Sequence, residues 1–255
     1  GIIGLWHLVM DSATPSDGAE AMAGGGGVIG WIATAPIVAA VGPIVAGPPP
    51  SRLRLEEPAS SGELRVTIRK EGTTAYVKLA YRAPAFGDAD FFPMLVLDAV
   101  LTGAKGVNLW ASFRTSPPQR SARLYRALVD SGLASSVSGA LVPTEQPFLY
   151  TISMTVNEHA TPGGVESAAL DVLDRVRREG VTEAERNKAV NQLRARLVFD
   201  EESITHIAHQ LGYFQTIASV EACETLLPRI RAVTLDDLAR VAHQYLDPAS
   251  LTVGW

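Results

Sequence analysis

One cysteine, Cys223, is all the chain has. That excludes an internal disulfide and any multi-cysteine metal cluster, and it leaves the redox compartment unread. A lone thiol in a helical context reads as a small core residue, since no His or Asn stands beside it in sequence. Basic runs are missing too. The formal net charge is −5, and there is no Lys/Arg cluster, RNP-like aromatic motif or zinc-finger spacing. Without that electrostatic footprint, nucleic acid is not an expected partner. H-x-x-E-H, H-E-x-x-H and the G-x-S-x-G elbow are all absent, so no self-contained hydrolytic site can be read.

Charge itself is absent between Ala21 and Ser51, where glycine, alanine and proline dominate. The run Val28 to Ala46 has about the length of a bilayer span, but two prolines and two glycines inside it disfavour a helix. No basic cluster precedes it, as a signal peptide would require. A membrane span is therefore not expected, and a soluble setting, cytoplasmic or periplasmic, is. Gly25, Gly27 and Gly30 match G-x-G-x-x-G spacing, yet "SDGAEAMA" before them is not strand-like and no acidic residue falls between Gly30 and Glu56. A dinucleotide loop needs both. The division expected is an irregular, low-complexity segment and linker over 1–51, followed by a folded domain over 52–255.

What is present is a globular composition, 47% hydrophobic and 19% charged over 255 residues, enough for a real core. "GELRVTIRK" alternates Leu64, Val66 and Ile68 with polar residues, the pattern of a half-buried strand. "TTAYVKLAYRAP" puts Ala75, Val77, Leu79 and Tyr81 on one face of a second strand in the same sheet. "DADFFPMLVLDAVLTG" reads as a helix with Asp88 as its N-cap, ending at Gly103. A loop follows, then a helix capped by Ser121 with a stripe of Leu124, Tyr125 and Leu128, ending at Gly132. "LASSVSGALV" is weakly strand-like. "FLYTISMTVN" is strongly so, with Phe148, Tyr150, Ile152, Met154 and Val156 on one face. Beyond Thr161-Pro162 the chain reads as helical, with a capping box at Thr182 and Glu185 and another helix start at Thr234, until "SLTVGW" closes as a strand. Runs of strands and helices without strict alternation point to an α+β layer fold, helices on one face of the sheet.

Sites are harder to find. His206 and His209 lie three apart with Glu201 and Glu202 about a turn ahead, but a zinc site needs a third ligand and hydrolysis also a general base. Metal is not expected there. His7, His159 and His243 are isolated, and Glu166, Asp171 and Asp174 read as the solvated face of a helix.

"EGTTAYVKLAYRAPAFGDADFFPMLVLDAVLTG" and "SARLYRALVDSGLASSVSGAL", with "ITHIAHQLGYFQTIAS" and "VTLDDLARVAHQYLDPASLTVGW", resemble the second domain of the pitrilysin/insulinase family of zinc metallopeptidases. The likeness covers about Arg52 to Trp255, and "GPIVAGPPPSRLRLEEP" looks like that family's interdomain linker. It implies a metallopeptidase-like two-layer α+β domain with a mixed sheet, and a function as the non-zinc part of a zinc-dependent metalloendopeptidase. The partners implied are a zinc-bearing homologous domain or subunit and a peptide substrate, with zinc held by the partner and no cofactor in this chain. The alternative is a scaffold or assembly subunit that keeps the fold without cleaving. The family's non-zinc half often holds substrate with an Arg and a Tyr flanking a Gly-Leu corner. Val129 and Ser135 stand at those positions here. No catalytic residue and no metal ligand is therefore assigned. Peptide contact is expected instead along a strand edge at Leu133, Ala134, Ser135, Ser136 and Val137.

Overall fold

The computed structural model describes residues 62–107, 119–200 and 204–255. The expectations for Val28 to Ala46, for the glycines at 25, 27 and 30, and for a boundary at 51/52 lie outside these residues. Five strands form one open sheet in the order β1-β5-β2-β4-β3. They are β1 (Leu64–Val66), β2 (Tyr76–Ala83), β3 (Ala134–Leu141), β4 (Phe148–Val156) and β5 (Thr252–Gly254). β1 and β5 pair in parallel and the other ladders are antiparallel, so the sheet is mixed.

Alternation sorts the sheet into two unlike faces. Val77, Leu79, Tyr81 and Ala83 of β2 and Tyr150, Ile152, Met154 and Val156 of β4 are buried under the helices, one continuous core. Burial of the Tyr81 hydroxyl raises its pKa. The alternate residues on the other face are polar, exposed or only partly buried. Among the described residues helices thus cover one face only, which is the two-layer α+β arrangement the element order predicts.

The helices are α1 (Phe91–Leu101), α2 (Pro162–Glu179), α3 (Glu183–Asp200), α4 (Ile204–Ile217), α5 (Ala222–Ala232) and α6 (Leu235–Tyr245). α1 is buried along its whole length, as its near-continuous apolar sequence requires. α2 begins as predicted: the Thr161 hydroxyl accepts from the Gly164 amide, Pro162 takes the first turn, and Gly180 ends it at φ 76°. Thr234 and Asp237 form the capping box of α6.

Four local readings need correction. β1 is exposed at all three residues, because it forms the sheet edge beyond β5 and does not lie inside the sheet. The N-cap of α1 is Asp90; the Asp88 carboxylate instead accepts from the Ala85 amide at 2.9 Å. The segment before Gly132 is a π-helix over Tyr125–Val129, with the Asp130 amide donating to the Tyr125 carbonyl, and not an α-helix capped by Ser121. Glu166 is not on a solvated face. It is 5% exposed and accepts a two-pronged bond from Arg65 at 2.6 and 3.1 Å and one from the Trp255 indole at 2.9 Å. Arg65 lies on β1 and Trp255 follows β5, so this carboxylate ties the short edge strands to α2.

A second ion pair ties the π-helix segment to α3. The Arg123 guanidinium grips Glu185 with two bonds of 2.7 Å and also reaches the Gly180 carbonyl. Those bonds, with help from Thr182, hold the Glu185 carboxyl at about 2 against its ordinary 4.5. A depressed carboxyl pKa stabilises the fold above the unfolded value and is lost as pH falls through the folded one. Wild type and Glu185→Gln should therefore differ by a constant amount in urea melts above about pH 5, the gap closing towards pH 2. A gap independent of pH across that window would rule out the ion pair as its source.

Candidate functional site

The chain turns from helix to strand at Gly132, whose φ of 77° suits glycine and strains other residues. Asn157, just past β4, fixes this corner by donating its side-chain amide to the Gly132 carbonyl and its backbone amide to the Leu133 carbonyl. β3 then runs along β4 as the outermost strand on that side, its far edge unpaired among the described residues. Ser135 is an extra residue in the ladder, a bulge between Ala134 and Ser136.

The five residues expected at the edge divide sharply. Ser135 and Ser136 are exposed, while Ala134 is fully buried and Leu133 and Val137 pack partly against the core. The Ser136 hydroxyl donates to Thr155 Oγ1 at 2.9 Å. Side-chain contact at this edge thus falls to two serines, and the remaining offer is backbone.

Register maps the open face of the sheet. One cross-strand row is Tyr76, Thr155 and Ser136. The next is Val66, Gly254, Lys78, Ser153 and Ser138, and the third is Leu64, Thr252, Ala80, Thr151 and Ala140. The face is apolar towards β1, where Leu64 is 57% and Val66 45% exposed, and lined with hydroxyls towards β3. A shallow depression of about 340 Å³ lies over Tyr76, Lys78, Ser153, Thr155, Ser136 and Ser138.

On the covered face, β3 rests on a buried polar cluster. Asp98 of α1 is 3% exposed and accepts from Thr102 at 2.6 Å, from the Tyr150 hydroxyl at 2.8 Å and from the Lys105 ammonium at 3.1 Å. Lys105 also donates to Thr102 Oγ1 and the Gly103 carbonyl. Burial, and then the Asp98 charge, push the Tyr150 hydroxyl well above its ordinary pKa, so it stays a donor. Gly139 passes directly over this cluster: a Cβ there would lie 2.2 Å from Asp98 Oδ1 and 2.6 Å from Thr102 Oγ1.

Among the described residues no three or more His, Cys, Asp or Glu side chains gather to hold a metal ion, so the zinc chemistry of the resembled family does not fit them. His206 and His209 sit on α4, and among the described residues they belong to no group of three or more such side chains. Among the described residues, no helix is long and apolar enough to cross a membrane.

Residues 31–193 match the family model described as the peptidase M16 inactive domain. The chain belongs to that family. Solved structures agree on the fold of this inactive domain. A protease from Helicobacter pylori superposes with a TM-score of 0.70 at 18% identity, over 83% of this chain and 47% of its own length. An inactive peptidase domain from a Bordetella parapertussis protein matches at a TM-score of 0.60 and 22% identity, over 74% of this chain and 95% of that one. A chain of complex III2 from Candida albicans matches at 0.59 and 13% identity, over 76% of this chain and 46% of that one. The M16 inactive domain described here therefore spans about half of the Helicobacter protease and nearly all of the Bordetella domain. No curated protein matches it.

The Arg and Tyr positions of the resemblance can now be placed. Ser135 is the bulge residue. Val129 is half-buried in the π-helix with two residues between it and Gly132, whereas the resembled pattern, L-R-x-x-x-G-L-x-Y, has three between its Arg and its Gly, so counting back from the glycine points to Leu128, which is fully buried. Neither position presents a cation.

Sequence reasoning missed Glu166, Asp98 and the depression. Asp98 had a signal, since a carboxylate inside "MLVLDAVL" has to find partners. The depression had none, because it is assembled by pairing strands more than 50 residues apart.

Proposed function

We propose that this M16 inactive domain is the non-zinc half of a zinc-dependent metalloendopeptidase. It encloses peptide together with a zinc-bearing homologous domain or subunit and offers the β3 edge and the adjoining open face to the substrate. The observation that supports this most is the sheet's asymmetry among the described residues: one face is sealed by helices, while the other is open and ends in a bulged edge strand. An extended peptide can add to such an edge through main-chain hydrogen bonds, with specificity left to neighbouring side chains. Length supports the reading as well, since relatives such as the Helicobacter protease contain about twice what this chain spans. On this reading residues 1–51 are an irregular segment and linker ahead of the folded domain.

Two measurements test it. The purified chain should cleave no peptide alone, and should support chelator-sensitive cleavage once mixed with a domain bearing H-x-x-E-H. Cleavage by the chain alone that a chelator abolishes would refute the assignment of the metal to the partner. Bound peptide should also slow amide hydrogen exchange in Ala134–Leu141 and leave Leu64–Val66 unchanged. Protection confined to β1 would move the peptide to the opposite edge.

A second reading is favoured by one observation. With Leu128 buried and Val129 and Ser135 in place of a cation and a phenol, the corner keeps its shape without its grip. A scaffold or assembly subunit would need only the shape. A stable complex with the zinc-motif partner that never supports cleavage would decide for it.

A further inference from the structure

The open face has an uneven charge pattern. The chain as a whole has 27 acidic against 22 basic residues. None of the residues that register places on the open face is Asp or Glu, and β2 contributes both Lys78 and Arg82. Lys78 stands at the centre of its row, with Ser153 and then Ser138 on one side and Gly254 and Val66 on the other. Strands are spaced at about 4.8 Å, so the Lys78 ammonium can lie over Ser153, with the Ser138 hydroxyl within reach of whatever the ammonium holds. Gly254 adds no side chain to this row, and next to it Tyr76 is 63% exposed, presenting a ring face beside the charge. The depression over these groups, about 340 Å³, is the size of a few side chains.

We propose that this depression binds an acidic side chain of an extended peptide, with the Lys78 ammonium as counter-ion and the Ser153 and Ser138 hydroxyls as supporting donors. The proposal deepens the reading that the open face meets peptide, and rests on it. Electrostatic complementarity favours a carboxylate: an ammonium and hydroxyls supply donors, and none of the strand residues that register places on this face is acidic. Tyr76 and Val66 then contact the aliphatic part of that residue or its neighbours in the peptide. A peptide with Lys or Arg at the same position meets like charge from Lys78 and is disfavoured.

The test is binding of the full chain to a fluorescein-labelled peptide of alternating Thr and Val with one central Glu, set against the same peptide with Gln. The Glu probe should bind about threefold to fivefold more tightly at low salt, the scale of one exposed ion pair, and added salt should shrink that gap. Lys78→Met should remove the gap, and Lys78→Arg should keep it. Because Lys78 is exposed, thermal melts of both variants should overlay wild type. Equal binding of the two probes, no binding of either, or a gap that survives Lys78→Met would overturn the proposal. The two readings fail separately. Partner-dependent cleavage without an acidic preference sinks this site alone. An acidic preference without cleavage under any zinc-motif partner sinks the peptidase reading and leaves the site standing.

Discussion

Asp98→Ala should destabilise the domain by about 3–5 kcal/mol, the range for removing one partner of a buried ion pair. The carboxylate has three donors, the Lys105 ammonium, the Thr102 hydroxyl and the Tyr150 hydroxyl, and truncation takes this acceptor from all three, although Thr102 keeps the Asp98 backbone carbonyl. Lys105 is the costly one, since its side chain is only 13% exposed and its remaining acceptors are the Thr102 hydroxyl and the Gly103 carbonyl, both uncharged. For a domain of this size the loss corresponds to a fall in Tm of about 10 °C. Asp98→Asn should not rescue it, because an amide turns a donor towards at least one of three donors. Replacing both ends, Asp98→Leu with Lys105→Met, should cost less than Asp98→Ala. Calorimetry of the set would check this; a double variant as damaged as the sum of its parts would show that the cluster is not acting as a unit.

Gly139→Ala should cost about 3 kcal/mol, near the top of the range for overpacking by a single carbon. The added methyl meets Asp98 Oδ1 and Thr102 Oγ1 well inside van der Waals contact, and both are held in place by their own hydrogen bonds. Either the cluster breaks or β3 lifts from α1. The prediction couples to the first: in the Asp98→Ala background the closest clash is gone, so Gly139→Ala should cost less there than in wild type. Denaturant melts give the coupling. Hydrogen exchange along Ala134–Leu141 shows which of the two ways the strain is relieved. Equal costs in both backgrounds would mean that the strand accommodates the methyl by moving elsewhere.

These effects explain which parts of the molecule could be read from the sequence. Period-2 and capping signals are local, so β2, β4, α2, the capping box at Thr182 and Glu185 and the helix start at Thr234 were legible, with Val77, Leu79, Tyr150 and Ile152 assigned to the buried face. What failed depends on distant partners. Glu166 looks like any outward helix carboxylate until Arg65 and Trp255 arrive from residues 101 and 89 positions away. β1 alternates like a half-buried strand, yet it pairs with the last strand at the sheet edge and all three of its residues are exposed. The π-helix cannot be seen in a stripe of Leu124, Tyr125 and Leu128, because α and π turns differ by one residue. At the candidate site the edge strand could be named, but not which of its side chains face outward, since the Ser135 bulge resets the alternation.

The position of β5 has a consequence for the order in which the molecule can be made. Thr252–Gly254 lies between β1 and β2, so the first and second strands of the described sheet have no contact through the sheet until the fifth is synthesised. On the ribosome, β2, β4 and β3 can assemble early as a three-stranded unit with α1, while β1 waits without a strand to pair with. During that interval β2 shows a bare edge that can pair wrongly with another nascent chain. The last step, insertion of three residues between two waiting strands, is of high contact order and slow by nature. Glu166 stands ready on α2 to receive Arg65 and Trp255 when it happens, so that one buried carboxylate registers the completion of the fold.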